Sequence, residues 1–224
     1  MKKLALASLM IAQTCLTASA MAQGMPGLTM KINSIENGQP IATKFAYCMP
    51  DGKGATTNGG NINPAISWSG APTGTKSYAL IVVDPDVPGN FDAANKPGQT
   101  IANDAPRRNF YHWVLVDIPA STTSIAEGAD SKGTSAKPTG KTSYGINGQN
   151  DYGTGAGGYN GPCPPWNDDR MHHYHFAVYA LDISSLNLTG NFTGKQAEDA
   201  MTGHILAKGE VVGTYTNNPK MVGK

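Results

Sequence analysis

A single, mainly β domain is the fold class this sequence predicts: a β-sandwich or open barrel with a few peripheral helices and long loops. Three observations point there. Glycine and proline are plentiful, 27 and 15 of 224 residues, which favours many turns between short strands. Apolar residues repeatedly alternate with period two, or gather in short runs closed by proline. Only one stretch combines a helical period with a matching cap. A helical bundle is thereby excluded, and the length suits one domain.

The chain opens on an address. Residues 1–22 carry Lys2 and Lys3, an apolar stretch over 4–16, and then small residues, the pattern of a secretory signal. Two A-x-A sites are available, Ala18-Ser19-Ala20 and Ala20-Met21-Ala22, with cleavage expected before Gln23 to leave a domain of residues 23–224. The apolar stretch falls short of the roughly 20 residues that span a bilayer. Thr14 before Cys15 fits a lipoprotein site poorly. The expected destination is the periplasm or the exterior, with no transmembrane segment.

The first strand follows, where Leu28, Met30 and Ile32 alternate with polar residues. Residues 78–83 form a continuous apolar run, read as a buried strand that ends in the turn Asp84-Pro85-Asp86-Val87-Pro88. Residues 111–118 give another strand, closed by Pro119. Residues 174–181 are apolar on both faces, which marks a central strand. Thr193 and Gln196 form a capping box. Ala197, Ala200, Met201, His204 and Ile205 then fall at helical spacing, with Gly209 expected as the C-cap. Residues 210–216 make a last strand. Loops are expected over 51–63, 89–109 and 128–159, the last long enough to suggest function or mobility.

Composition excludes several functions. Charged residues are 15% of the chain with a formal net charge of +1, too balanced for a disordered chain or a nucleic-acid binder. Removal of residues 1–22 leaves 15 basic and 16 acidic residues. Two cysteines remain, Cys48 and Cys163, and in an oxidising compartment they are expected to form a disulfide. Neither has a second Cys or His at zinc-finger spacing.

The chemistry gathers at strand ends: the acidic pair Asp84 and Asp86, His112, and the segment from Pro162 to Tyr174. The stiff turn Gly161-Pro162-Cys163-Pro164-Pro165 has few N–H donors, and Gly161 would let a ligand approach the backbone. His172 and Tyr174 can donate to a phosphate or carboxylate. Aspartates would orient the imidazoles and raise their pKa, so that protonated histidine meets the anion. The plainer alternatives are a capped turn for Asp84 and Asp86 and a satisfied core histidine for His112. His172, His173 and His175 alternate in direction along a strand, so no local metal site is expected.

These residues resemble the phosphatidylethanolamine-binding protein family, and within it the bacterial branch called Raf-kinase-inhibitor-like. The resemblance rests on Asn63-Pro64-Ala65-Ile66-Ser67-Trp68-Ser69-Gly70, Asp84-Pro85-Asp86-Val87-Pro88, Tyr111-His112-Trp113-Val114-Leu115, Asn150-Asp151-Tyr152-Gly153, Tyr159-Asn160-Gly161-Pro162-Cys163-Pro164-Pro165 and His172-His173-Tyr174. It covers roughly residues 28–216. It implies a β-sandwich and a small pocket for phosphate or carboxylate groups, lined by Asp84, Asp86, Pro88, His112, Gly161, Pro164, His172 and Tyr174.

Two departures from the family pattern stand out. His173 occupies the place of the usual Arg and is expected to point away from His172 and Tyr174. Residues 89–109 are longer than in compact members, a lid or added rim that carries Arg107 and Arg108. The expected function is non-enzymatic binding of a small anionic ligand, with a protein partner (an inhibited protease or kinase) as the second reading. A hydrolase is the third, but there is no serine elbow, HExxH or phosphate-binding glycine loop. No cofactor or metal is expected.

Overall fold

The computed structural model describes residues 27–131, 133 and 137–221, so the signal segment expected over 1–22 lies outside the described residues. In chain order the strands are β1 (Thr29–Ile32), β2 (Cys48–Pro50), β3 (Thr56–Asn58), β4 (Ile66–Ser69), β5 (Ser77–Pro88) and β6 (Arg107–Pro119). Five follow: β7 (Ser124–Ile125), β8 (Lys137–Pro138), β9 (Gly140–Lys141), β10 (Ile146–Asn147) and β11 (Ala156–Gly157). The chain then forms β12 (His172–Leu181), the helix α1 (Gly194–Met201) and β13 (Ile205–Tyr215). The principal sheet has the order β13-β12-β5-β6-β10-β9, and a second has the order β1-β4-β7.

The β5 side chains explain why this is a layered fold. Tyr78, Leu80 and Val82 join β1 and β4 residues such as Met30, Ile66 and Trp68 in one core. Ala79 and Ile81 point to the other face, where Val114, Leu186, Phe192, Ala197 and Met201 close over them. A period-two strand that is apolar on both faces must be covered on both, here by a sheet and by α1 with its approach. The sandwich expectation holds, with one α-helix among the described residues.

Several boundaries differ from expectation, each for a local reason. β5 runs on through Pro88 instead of turning at Asp84. Its ladder to β12 stops at Val83↔His175, so Pro85 and Pro88 withhold no N–H from that side. The capping box of Thr193 and Gln196 is present, but α1 ends at Met201 with Thr202 as its C-cap. Gly203 follows at φ 84°, and Gly209 lies inside β13. The loop expected over 51–63 contains β3, and that over 128–159 contains β8 to β11.

The segment 89–106 is a fastened rim, not a free lid. The Asn167 amide donates to the carbonyls of Ala93, Lys96 and Gln99, and its oxygen accepts from the Asn95 N–H. Cys48 and Cys163 form the expected disulfide, with Cα atoms 4.9 Å apart.

Candidate functional site

The site forms where β5 and β12 part company. Beyond Val83, β5 keeps pairing only with β6, while β12 extends back through Tyr174 to His172 against β13. Two bulges shape the gap. Opposite Val82 and Val83, β6 places Trp113 and Tyr111, leaving His112 as the extra residue. Between Asp84 and Val87, β5 spends three steps against two on β6. Bulges redirect side chains and break the alternation of faces.

A buried chain of charges underlies this gap. His172 Nδ1 lies 2.7 Å from Asp84 Oδ2, and its Nε2 lies 3.1 Å from Asp168 Oδ2. Asp168 also takes Arg107 Nη1 at 2.5 Å and Nη2 at 3.0 Å. Burial alone would lower the His172 pKa, but the Asp168 and Asp84 carboxylates together push it up to about 9. Burial works to raise the Asp168 carboxyl, yet His172 and Arg107 hold it below the usual range. With two cations facing two anions, the chain is neutral as a unit.

The two remaining buried polar groups are different. His112 Nδ1 lies 2.8 Å from the Asn160 carbonyl, which can only accept, so Nδ1 carries the proton. Its Nε2 is buried without a partner, and so is the Tyr174 hydroxyl. Burial lowers the His112 pKa, with Asp84 opposing it, so the ring is neutral near pH 7. Burial, and then Asp84, raise the Tyr174 pKa well above 10 and keep the phenol protonated.

Both groups line one cavity of about 190 Å³, together with Asp84, His172, Pro164 and Cys163. That is room for about six waters. Its apolar walls are Val87, Phe91, Phe110, Tyr152 and Pro165. The exposed Arg108 guanidinium sits 5.5 Å from the ring centroids of both Phe91 and Phe110. A larger groove of about 580 Å³ runs along Gln39, Ile41, Met171 and Thr214. None of its residues holds a buried polar atom without a partner.

The pattern of motifs around this cavity has clear counterparts. The family model described as phosphatidylethanolamine-binding protein matches residues 31–216. The chain belongs to the phosphatidylethanolamine-binding protein family. A UPF0098 protein of Pyrococcus horikoshii is 36% identical, over 86% of this chain and 79% of its own length. The UPF0098 protein YbcL of Escherichia coli is 31% identical, over 82% of this chain and 84% of its own. The crystal structure of YbcL, described as a new member of the mammalian PEBP family, superposes with a TM-score of 0.64 at 29% identity, covering 85% of this chain and 98% of that one. A Chlamydia trachomatis homologue gives 0.61 at 30% identity, covering 85% of this chain and 97% of that one.

Within this PEBP fold, Asp84, His112, Pro164, His172 and Tyr174 stand around one cavity, while three other expected residues stand outside its lining. After the bulge, Asp86 turns to Arg170 Nε at 2.6 Å and to His173 Nδ1 at 2.7 Å. Burial acts to raise its pKa, but His173 and Arg170 outweigh it and hold the carboxyl low. His173 does point away from His172, and its role is to hold Asp86. Pro88 pairs with Arg107 at the strand end. Gly161 is required by packing, since a Cβ there would lie 1.9 Å from the Phe45 carbonyl oxygen.

Other corrections concern how charge is used. His172 has both nitrogens committed to carboxylates, so it cannot present a proton to an anion. Arg107 is likewise consumed by Asp168, leaving Arg108 as the cation at the mouth. Sequence reasoning missed Asp168, whose partners lie on distant segments, and Tyr152 as a wall residue. The signal for Tyr152 was an aromatic set in a Gly- and Asn-rich loop. Its hydroxyl donates to the Gly161 carbonyl at 2.6 Å, and its ring lies edge-on to His112.

Proposed function

We propose that this PEBP-family protein is an exported, non-enzymatic binding protein that holds a small phosphate or carboxylate group in the His112–Tyr174 cavity. One observation carries the reading: the His112 and Tyr174 side chains, each with a buried polar atom that has no partner, line the same small cavity. A buried polar group left unpaired costs about 1–3 kcal/mol, and a bound oxyacid that keeps one hydrogen for Nε2 while accepting from Tyr174 relieves two at once. Tyr174 donates, His112 Nε2 shares a proton with the ligand, and Arg108 supplies positive charge at the mouth. The neutral Asp84–His172–Asp168–Arg107 chain holds the walls in place without touching the anion. Among the described residues, no serine, threonine or free thiol lines the cavity to act as a nucleophile. The signal-like residues 1–22 and the disulfide support a periplasmic or secreted location.

Calorimetric titration with inorganic phosphate tests this reading. Tyr174→Phe and His112→Ala should each weaken binding by at least about tenfold, the weight of one charge-assisted hydrogen bond. Undiminished binding in both variants would defeat it.

A second reading has its own observation. Phe91, 46% exposed, stands at the cavity mouth beside Arg108, a surface suited to an acidic protein segment. Capture of such a partner by wild type, but not by Phe91→Ala, would favour it.

A further inference from the structure

We infer that the pocket between the rim 89–106, residues 166–169 and the turn 218–221 is a separate binding site, and that it takes the neutral pyranose ring of a carbohydrate. It shares no lining residue with the His112–Tyr174 cavity and does not rest on the oxyanion reading.

The pocket is built on two buried amides whose hydrogen bonds all go to holding backbone. Asn167 fastens the rim through its side chain, and its carbonyl accepts from the Ile101 N–H at 3.0 Å. The Asp169 N–H donates to the Ile101 carbonyl at 3.0 Å, which stitches the rim to residues 167–169. From the opposite side, the Asn218 amide donates to the Asp168 carbonyl and to Asp169 Oδ1, each at 2.9 Å. Its oxygen accepts from the Lys220 N–H at 3.0 Å. The Trp166 N–H donates to Asn95 Oδ1 at 3.0 Å, so the residue that follows the stiff Pro164-Pro165 pair is pinned to the rim as well. A pocket held this way is formed before a ligand arrives and costs little ordering on binding.

What the floor leaves unspent decides the ligand. The enclosed volume is about 260 Å³, the share of about nine waters, which suits one sugar ring and not two. Half-buried Trp166 supplies the large apolar surface. Gln99, Thr100 and Lys220 are exposed, and among the described residues nothing engages the Gln99 amide, the Thr100 hydroxyl, the Lys220 ammonium or Asp169 Oδ2. These are donors and acceptors in mixture, and Asp169 and Lys220 bring opposite charges. An anion would meet Asp169 and a cation would meet Lys220, so neither is favoured. A neutral pyranose matches both halves. Its slightly positive C–H face packs on the negative face of an indole, and each hydroxyl on its edge both donates and accepts.

The experiment is ligand-observed saturation-transfer NMR on the disulfide-intact chain. The probes are the methyl glycopyranosides of glucose, galactose, mannose and N-acetylglucosamine, titrated into the millimolar range, with tryptophan emission read in parallel. Trp68 and Trp113 are 4% and 0% exposed, so Trp166 is the tryptophan that can respond to a ligand shutting out water. At least one glycoside should bind saturably, receive saturation chiefly on the C–H protons of one ring face, and shift the emission to the blue. Trp166→Ala should weaken that binding at least about tenfold, and Asp169→Asn, which keeps an acceptor for Asn218, about tenfold. Gln99→Ala, on the exposed rim where truncation leaves the fold intact, should weaken it about threefold. Inorganic phosphate should not compete. Absence of saturable binding by all four glycosides, binding undiminished in Trp166→Ala and Gln99→Ala, or displacement by phosphate would each overturn the inference.

Discussion

Neutralising His172 by raising the pH should cost the fold roughly 3 kcal/mol. In the unfolded chain an imidazole titrates near 6.5; between Asp84 and Asp168 it titrates at about 9. A folded value above the unfolded one means that the folded state binds the proton more tightly. The stabilisation is therefore complete below about 6.5 and is lost as the pH rises through 9. At about 1.36 kcal/mol per pH unit, the span gives roughly 3 kcal/mol. His112 acts in the opposite sense at the other end. Its folded pKa is lowered by burial, so falling pH below about 6.5 favours the unfolded chain. Urea denaturation of the disulfide-intact protein at steps from pH 6.5 to 10 reads the upper limb. His172→Gln, less stable throughout, should lose that limb. A wild-type curve flat to within about 0.5 kcal/mol over the range would refute the reasoning.

Two further outcomes follow from the packing. Gly161→Ala puts a methyl group 1.9 Å from the Phe45 carbonyl oxygen and 2.8 Å from Tyr159 Oη; a backbone contact cannot yield cheaply, so denaturant unfolding should show a loss of about 3 kcal/mol or more, and a loss under about 1 would contradict the packing role. Reducing Cys48–Cys163 releases a closure of 115 residues, worth roughly 4–5 kcal/mol. Because Cys163 lines the cavity, phosphate binding should weaken more than the unfolding midpoint falls, and proportional loss of the two would defeat that division.

Much of the architecture is legible in the chain because burial writes itself as periodicity. The alternation of Leu28, Met30 and Ile32 gives β1, and two-sided apolarity places β12 in mid-sheet. Thr193 with Gln196 marks the start of α1. Ends are harder. Pro85 and Pro88 look like a turn because nothing local says that β12 has already left β5. Met201, His204 and Ile205 keep helical spacing by coincidence, while Thr202 and Gly203 break the helix. The cavity follows the same division. Asp84, His112, His172 and Tyr174 are visible as polar groups at strand ends, and the structure brings them together. Asp86 leaves because a bulge turns it, and bulges are set by pairing between distant strands. Asp168 is hidden because its meaning comes from Arg107, 61 residues away, and from the one histidine that both aspartates share.

The most direct measurement is a crystal structure of the disulfide-intact protein soaked in inorganic phosphate. The account predicts one anion in the cavity, with oxygens within hydrogen-bonding distance of both His112 Nε2 and Tyr174 Oη and none on His172. An empty cavity at saturating phosphate, or an anion resting on His172 or on Asp86's partners instead, would contradict it.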